Sequence, residues 1–388
     1  MTTAPERTAP AAGSASGVLA ITGFGVLSGA GIGPEPLASA VARPAQPADV
    51  SGMFEEPLPR DDAYALVDFR VRDHLGRKGT SFFDRSTSLG LVACQAALAD
   101  TDLRVDDGNR ARIGIALGTT AGSAKSTSDY SRDTFTQERP YLVNPLLFPN
   151  AVMNCAAGQA GIWFDLKGPN ATVAGGPLAM LNVLRYSRNL INCGYGDALL
   201  AGAVEEFSPH SAWALHYAQA DDGGTVPCGE GAAVFVIESA EAVRAAGRRP
   251  DAEVLATEVG VFEPPGSGTS FTDGLALCLR RALERSGVSA SDVTTVVGAA
   301  NGMTRLDEAE AAAVRAVLGD DVPRLRVKEA TGEAFSASGA FQLAALLARH
   351  RAEPARDGEL SVIVSRSRDG AAGAAVVRGW SRADGDDG

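Results

Sequence analysis

One order of elements occurs twice along this chain, and that recurrence limits its fold more than any single motif does. Residues 84–99 carry apolar positions at helical spacing (Leu89, Val92, Cys94, Leu98), and a strand follows at 112–117. A segment apolar almost all round in its first two turns, 177–191, reads as a buried helix, with strands at 198–203 and 232–237. After Ala-Gly-Arg-Arg-Pro at 246–250, which reads as the domain boundary, the order returns: helix 273–286, strand 294–299, helix 333–349, strands 361–365 and 374–378. A glycine-closed strand at 18–25 opens the first copy, and a polar, irregular stretch at 118–149 interrupts it. Such duplication predicts two α/β units, 18–245 and 250–380, whose sheets pack around central helices, with an insertion at about 118–153 in the first. The pattern by itself also fits a generic doubly wound α/β protein.

Composition narrows the function. A chain of 388 residues with 45% hydrophobic content can bury a large core, and a net charge of −12 argues against a nucleic-acid surface. No apolar run is long enough to span a membrane. The five cysteines form no C-x-x-C pair and none stands beside a histidine, which argues against a disulfide framework or a zinc site and for a reduced cytoplasm. Residues 1–17, built from Ala, Pro, Ser, Thr and Gly, read as a disordered tail, as do 381–388. The glycines after the first strand (Gly23, Gly25, Gly29) miss the dinucleotide-binding spacing, so no nucleotide cofactor is expected, nor any other.

The segment from Asn154 to Gly176, with its Thr-Val-Ala-Gly-Gly ending, resembles the approach to the nucleophile elbow of β-ketoacyl-acyl-carrier-protein synthases. Residues 18–25 resemble the opening strand of that family, 200–209 its strand after the elbow, and 229–238 its glycine-rich strand. The resemblance implies a thiolase fold with five layers, α-β-α-β-α. It also locates the positions where active members carry chemistry: a cysteine that attacks the acyl thioester and two histidines that assist decarboxylation and stabilise the enolate. Here Pro177 stands at the nucleophile position, Asn301 at the first histidine and Glu333, five residues after Lys328, at the second. Proline supplies neither a nucleophile nor the N–H that the family aims at the oxyanion, although it suits the first position of a helix. The Gly-Phe-Gly-Gly gate of active members is replaced by 365–373, which lacks phenylalanine. The chain's four histidines, His74, His210, His216 and His350, fall outside both motifs.

This combination resembles the chain-length factor, the non-catalytic partner of a true ketosynthase in bacterial type II polyketide synthases. The resemblance implies a heterodimer that receives the polyketide on an acyl carrier protein and walls a tunnel whose volume limits product length. It places the tunnel-lining residues at Ala124, Thr127 and Ser131, which share one helix face at i, i+3, i+7 and are all small. Small residues leave room for a long or stiff chain such as a polyene from a reducing system; the other reading of 123–131 is a surface loop. Leu146, Leu147, Phe148 and Met153 are expected either at the subunit interface or in ordinary core. Arg366 and Arg368 would receive the acidic carrier protein or belong to a solvated loop, and Trp163 and Phe164 would pack beneath the elbow. Two further functions remain open: a divergent acyltransferase or malonyl decarboxylase using Cys228, the thiol expected to be most exposed, or Ser336; and a partner that only stabilises the ketosynthase. The other cysteines read as small core residues.

Overall fold

The computed structural model describes residues 17–220, 226–263 and 270–382. The tails at 1–17 and 381–388 therefore fall outside the described residues except for Gly17, Ser381 and Arg382. Ser381 is buried and Arg382 pairs with Asp100 and Asp251, so the packed chain extends past 380.

The frame is one continuous eleven-stranded sheet whose ten main strands fall into two five-stranded halves, called the first and second sheet. The first contains β1 (Leu19–Ser28), β2 (Ile113–Thr119), β3 (Asn170–Ala174), β4 (Ala198–Glu205) and β5 (Gly231–Ser239), in spatial order β3-β2-β4-β5-β1. The second contains β6 (Ala252–Val261), β7 (Val293–Val297), β8 (Arg324–Leu325), β9 (Leu360–Arg366) and β10 (Ala371–Gly379), in order β8-β7-β9-β10-β6. Strand for strand the two orders are the same. So are the directions: the three strands at the outer edge of each sheet run parallel, and the remaining pairs are antiparallel. The sheets meet where Leu19, Ala20 and Ile21 of β1 pair with Val254, Glu253 and Ala252 of β6.

The helices complete the five layers. α1 (Arg85–Asp100) and α3 (Cys155–Trp163) cover the outer face of the first sheet, and α6 (Ser270–Ser286) with α7 (Thr304–Leu318) that of the second; α2 (Ala124–Thr136) and α5 (Pro209–Ala220) lie to the side. Between the sheets run α4 (Ala179–Asn192) and α8 (Phe335–Ala352). Both faces of α8 press on protein, so nearly every side chain from Ser336 to Ala348 is buried and alanine recurs where sheet and helix come close. Amphipathic spacing vanishes in such a helix because no face meets water. The thiolase-type duplication expected from sequence is thus present in order, direction and layering.

The stretch 118–149 departs from its expected irregularity. Ser123 accepts a hydrogen bond from the Ser126 N–H at 3.1 Å and so caps α2, and 3-10 turns at Pro140–Leu142 and Pro145–Leu147 lead into a short helix, Phe148–Ala151. Trp163 packs edge-on against Phe83, 5.7 Å between ring centres, on the outer face of the first sheet rather than under the elbow. The central helices come into close contact at Gly339, where an added Cβ would lie 3.0 Å from the Met180 Cβ. Gly339→Val is therefore expected to destabilise the fold by about 2 kcal/mol through overpacking, read as a lower Tm in thermal unfolding.

Candidate functional site

The turn before α4 gathers the first piece of the site. Gly176 adopts φ 48°, a left-handed conformation that favours glycine, and Pro177 follows inside the 3-10 turn Gly176–Leu178. Pro177 thus occupies the first turn leading into a buried helix, where its missing N–H costs no helical hydrogen bond. The second piece comes from the opposite half. Gly229 N donates to the Glu333 carbonyl (2.9 Å) and Glu333 N to the Pro227 carbonyl (3.0 Å), which holds Glu333 just ahead of α8.

A cavity of about 570 Å³ opens between these pieces. Pro177, Asn301 and Glu333 all line it, together with Lys328, Phe335 and the 366–369 loop, so the fold brings together the three positions that sequence identified as vacated. Glu333 is the hub. Its Oε2 accepts from Lys328 Nζ (2.5 Å) and Asn301 Nδ2 (2.6 Å), and its Oε1 from Phe335 N (3.0 Å) and Ser338 Oγ (3.1 Å). Burial alone would push this carboxyl up, but the Lys328 ammonium and the hydrogen bonds outweigh it and hold the group below the usual carboxylate range. The pair is a closed ionic unit, its carboxylate oxygens all engaged by neighbouring donors.

The lining residues include neither cysteine nor histidine. Cys228, expected as the most exposed thiol, is instead 5% exposed, and burial pushes its thiol far up; it lies behind Glu333, its backbone bridged to that residue. Cys193, expected in the core, is the exposed thiol, at the end of α4. Ser336 is buried, its hydroxyl donating to the Val204 carbonyl (2.9 Å) and Glu205 (2.5 Å). Neither Cys228 nor Ser336 faces the cavity, so neither is placed to receive an acyl group.

Arg366 also differs from expectation. It is 4% exposed, its Nε donates to Glu310 at 2.7 Å and its Nη2 pairs with Asp307. Asp307 in turn accepts from the N–H groups of Asn301 (3.1 Å) and Gly302 (2.8 Å). Arg366 therefore braces the loop that carries Asn301 and is not available as a docking cation. Arg368 is exposed and donates to the Ala218 carbonyl at 2.8 Å.

Ala124, Thr127 and Ser131 lie on α2, confirming a helix at those residues, but outside the 570 Å³ cavity. Ala124 is half-buried, Thr127 and Ser131 are exposed, and Thr127 Oγ1 lies 3.2 Å from the Ala151 carbonyl. Leu146, Phe148 and Met153 are exposed (60%, 53% and 44%) and Leu147 is half-buried, so this segment does not belong to the core. Sequence reasoning missed two buried carboxyls, Glu205 and Glu206, at the end of β4. Burial pushes Glu205 up to about 7; burial and the neighbouring Asp84 push Glu206 up to about 8. Two adjacent acidic residues after the apolar run of β4 were the available signal.

Two outcomes are expected. Truncating one member of the buried pair, as in Glu333→Leu or Lys328→Met, destabilises the fold by about 3 kcal/mol because the other charge is left buried alone; the double variant is milder than the sum, as a double-mutant cycle of denaturant unfolding will show. Glu205 and Glu206, raised above their ordinary 4.5, bind protons in the folded chain that the unfolded chain has released. Stability therefore falls as pH rises from about 5 to 8, and Glu206→Gln flattens that fall in Tm measured across the interval.

The β-ketoacyl synthase N-terminal domain family matches residues 18–243, and the β-ketoacyl synthase C-terminal domain family matches residues 263–352. The 3-oxoacyl-[acyl-carrier-protein] synthase 2 of Staphylococcus aureus strain N315 is 26% identical over 313 residues, 74% of either chain. A solved structure described as the ishigamide ketosynthase/chain length factor is 34% identical, covers 94% of this chain and 99% of its own, and superposes with a TM-score of 0.83. A β-ketoacyl synthase from Burkholderia phymatum STM815 shares the fold at 20% identity, covering 93% of this chain and 99% of its own, with a TM-score of 0.79. Two family matches that together cover well over half of the chain establish that it belongs to the β-ketoacyl synthase family.

Proposed function

We propose that this chain is the non-catalytic, chain-length-determining subunit of a type II polyketide synthase, paired with a catalytic ketosynthase. The observation that carries this reading is the occupied centre: Pro177 in place of a nucleophile, and a Lys328–Glu333–Asn301 unit where two imidazoles would act. Acyl transfer needs a nucleophile and an N–H donor at the developing oxyanion, and decarboxylation needs donors aimed at the enolate. Pro177 removes the first two at one residue, and Glu333 places a negative charge where negative charge would have to be stabilised. The reading is further supported by the 34% identity to a protein described as a ketosynthase/chain length factor. The relatives named as acyl-carrier-protein synthases support a carrier protein as the source of the polyketide.

The surface supports a partner of the same fold. β3 lies at the edge of its sheet with β2 as its one neighbour among the described strands, and an open strand edge is a template for pairing with another chain. Exposed apolar side chains gather in the same part of the first half: Leu142, Leu146, Phe148 and Met153 before α3, and Ile162 on α3, which packs against β3. Unpartnered apolar surface of this kind marks an interface. α2 rests on that segment through Tyr130 and Phe148, whose ring centres are 5.8 Å apart. The face of Ala124, Thr127 and Ser131 is thus carried beside the docking surface, where a partner would close it into a tunnel wall. Three small side chains there suit a long or stiff product. Among the described residues no helix is long and apolar enough to cross a membrane, and all five cysteines are free, which supports a reducing, cytoplasmic setting.

Filling the face tests this function. Ala124→Phe or Thr127→Phe, assembled with the partner ketosynthase, is expected to shorten the polyketide by at least one extension unit in product profiling by mass spectrometry. Unchanged products from both variants, in a complex that still assembles, would show that the partner alone sets length. Phe148→Asp is expected to abolish co-purification of the two subunits, since it buries a charge in an apolar contact. Pro177→Cys is expected to restore no condensation, because Asn301 and Glu333 still lack imidazole.

A further inference from the structure

The dipeptide Glu205-Glu206 ends β4, and successive residues of an extended chain point to opposite sides. Glu205 turns toward the central helix. Its Oε2 accepts from Ser336 Oγ (2.5 Å), Ser336 N (3.2 Å) and Thr120 Oγ1 (2.6 Å). Glu206 turns toward α2, where it accepts from Ser123 Oγ (3.0 Å to Oε2) and from the Lys125 N–H (3.1 Å to Oε1). Ser123 is the cap of α2, so Glu206 and its contacts fasten the first turn of that helix, satisfying an N–H that has no partner within the helix.

This anchor matters because Glu206 is buried, whereas the other contacts of α2 are made by exposed or half-buried side chains. None of its side chains is fully buried. It is held along its length by the Tyr130–Phe148 contact, by Thr127 against the Ala151 carbonyl, by Asp133 accepting from the Asn144 N–H (2.7 Å), and by the solvent-screened ion pairs of Lys125 and Arg132 with Glu56. Glu206 itself is 3% exposed and forms no direct ion pair among the described residues, Arg85 acting on it only at longer range. Arg85, on α1, is committed to Glu230 at 2.5 Å, the Lys125 ammonium points to Glu56 and Asp129, and Asp84 faces Glu206 with like charge. A buried carboxyl kept without a direct ion pair is not what packing alone would select. α2 is about 20 Å long, so a tilt of its first turn by about 10° carries its far end some 3 Å, roughly the width of one methylene on either side.

We propose that Glu206 is a positioning residue for chain length, fixing the first turn of α2 so that the face of Ala124, Thr127 and Ser131 stands in one place. This rests on the chain-length reading above and names the group that makes the tunnel wall rigid. Glu205, one residue earlier, anchors the central helix and serves as the comparison.

The experiment uses the assembled heterodimer supplied with malonyl-loaded carrier protein, with product lengths profiled for wild type, Glu206→Ala, Glu206→Gln, Glu205→Gln and Ala124→Phe. Hydrogen exchange at the Lys125 amide is followed in parallel. Glu206→Ala is expected to spread the product over neighbouring lengths and to speed exchange at Lys125 by about tenfold, the effect of losing one hydrogen bond to a charged or strongly polar acceptor. Glu206→Gln restores both, since its side-chain carbonyl still accepts from Ser123 and Lys125, and Glu205→Gln leaves the distribution as in wild type. A role confined to stability would lower Tm or yield and leave the distribution sharp. If Glu206→Ala keeps the wild-type distribution while Ala124→Phe shortens it, the positioning role is overturned and the chain-length function stands. If neither variant moves the distribution, the chain-length function itself fails and the proposal with it. Should Glu206→Ala not assemble, Ser123→Ala breaks the same contact from the other side, and a wild-type distribution from it overturns the proposal.

Discussion

The Glu333 carboxylate, accepting four hydrogen bonds in a buried site, holds together elements that arrive from separate parts of the second half. Lys328 comes from the short helix Lys328–Thr331, Asn301 from the loop after β7, and Phe335 and Ser338 from the start of α8. An ion pair in such a place is a weak source of net stability, because desolvation opposes its Coulomb energy. What it does supply is a fixed arrangement: every donor around the carboxylate is oriented, and the floor of the cavity becomes neutral and rigid. In the same network the lysine and the asparagine that could bind an anion are already committed to an internal one.

Around that floor the fold keeps the architecture of its family, and the proposed reading is that only the reacting groups have been replaced. The duplicated sheets still press two central helices together, the elbow glycine is still left-handed, and the loop bearing Asn301 is still braced by Arg366 through Asp307. A scaffold freed from chemistry can put its remaining specificity into its surface. Here that surface consists of an open strand edge, an apolar segment around Phe148 and a polar helix of small residues carried on it.

Much of this was legible in the amino-acid order. Buried strands and helices of the two halves announce themselves as apolar runs, so the duplication and most element positions follow from periodicity. The family resemblance singles out Pro177, Asn301 and Glu333, and the structure brings them to one cavity. Exposure was harder to read. Cys228 lies beside glycines that suggest a turn, yet long-range pairing with Glu333 buries it; Arg366 lies in a polar run, yet Glu310 and Asp307, far away in sequence, draw it inside. α2 could be read either as a helix face or as a surface loop because its serines and threonines favour caps and turns over helix interiors, and the structure adds what decides it, a local cap at Ser123 and a tertiary contact from Glu206. The strand Ala252–Val261 and the helix Thr304–Leu318 went unread for a related reason, their apolar positions being interrupted by charged residues such as Glu258, Asp307 and Glu310, whose partners come from distant segments.

The central claim is that this chain shapes a reaction it does not perform, and intact-protein mass spectrometry tests it most directly. The chain is incubated with acyl- and malonyl-loaded carrier protein, alone and co-expressed with its ketosynthase, and each subunit is weighed. The account predicts an acyl adduct on the ketosynthase alone while the two subunits co-purify. An acyl mass on this chain would contradict it, because it would require a nucleophile where the structure places Pro177 and a closed ion pair.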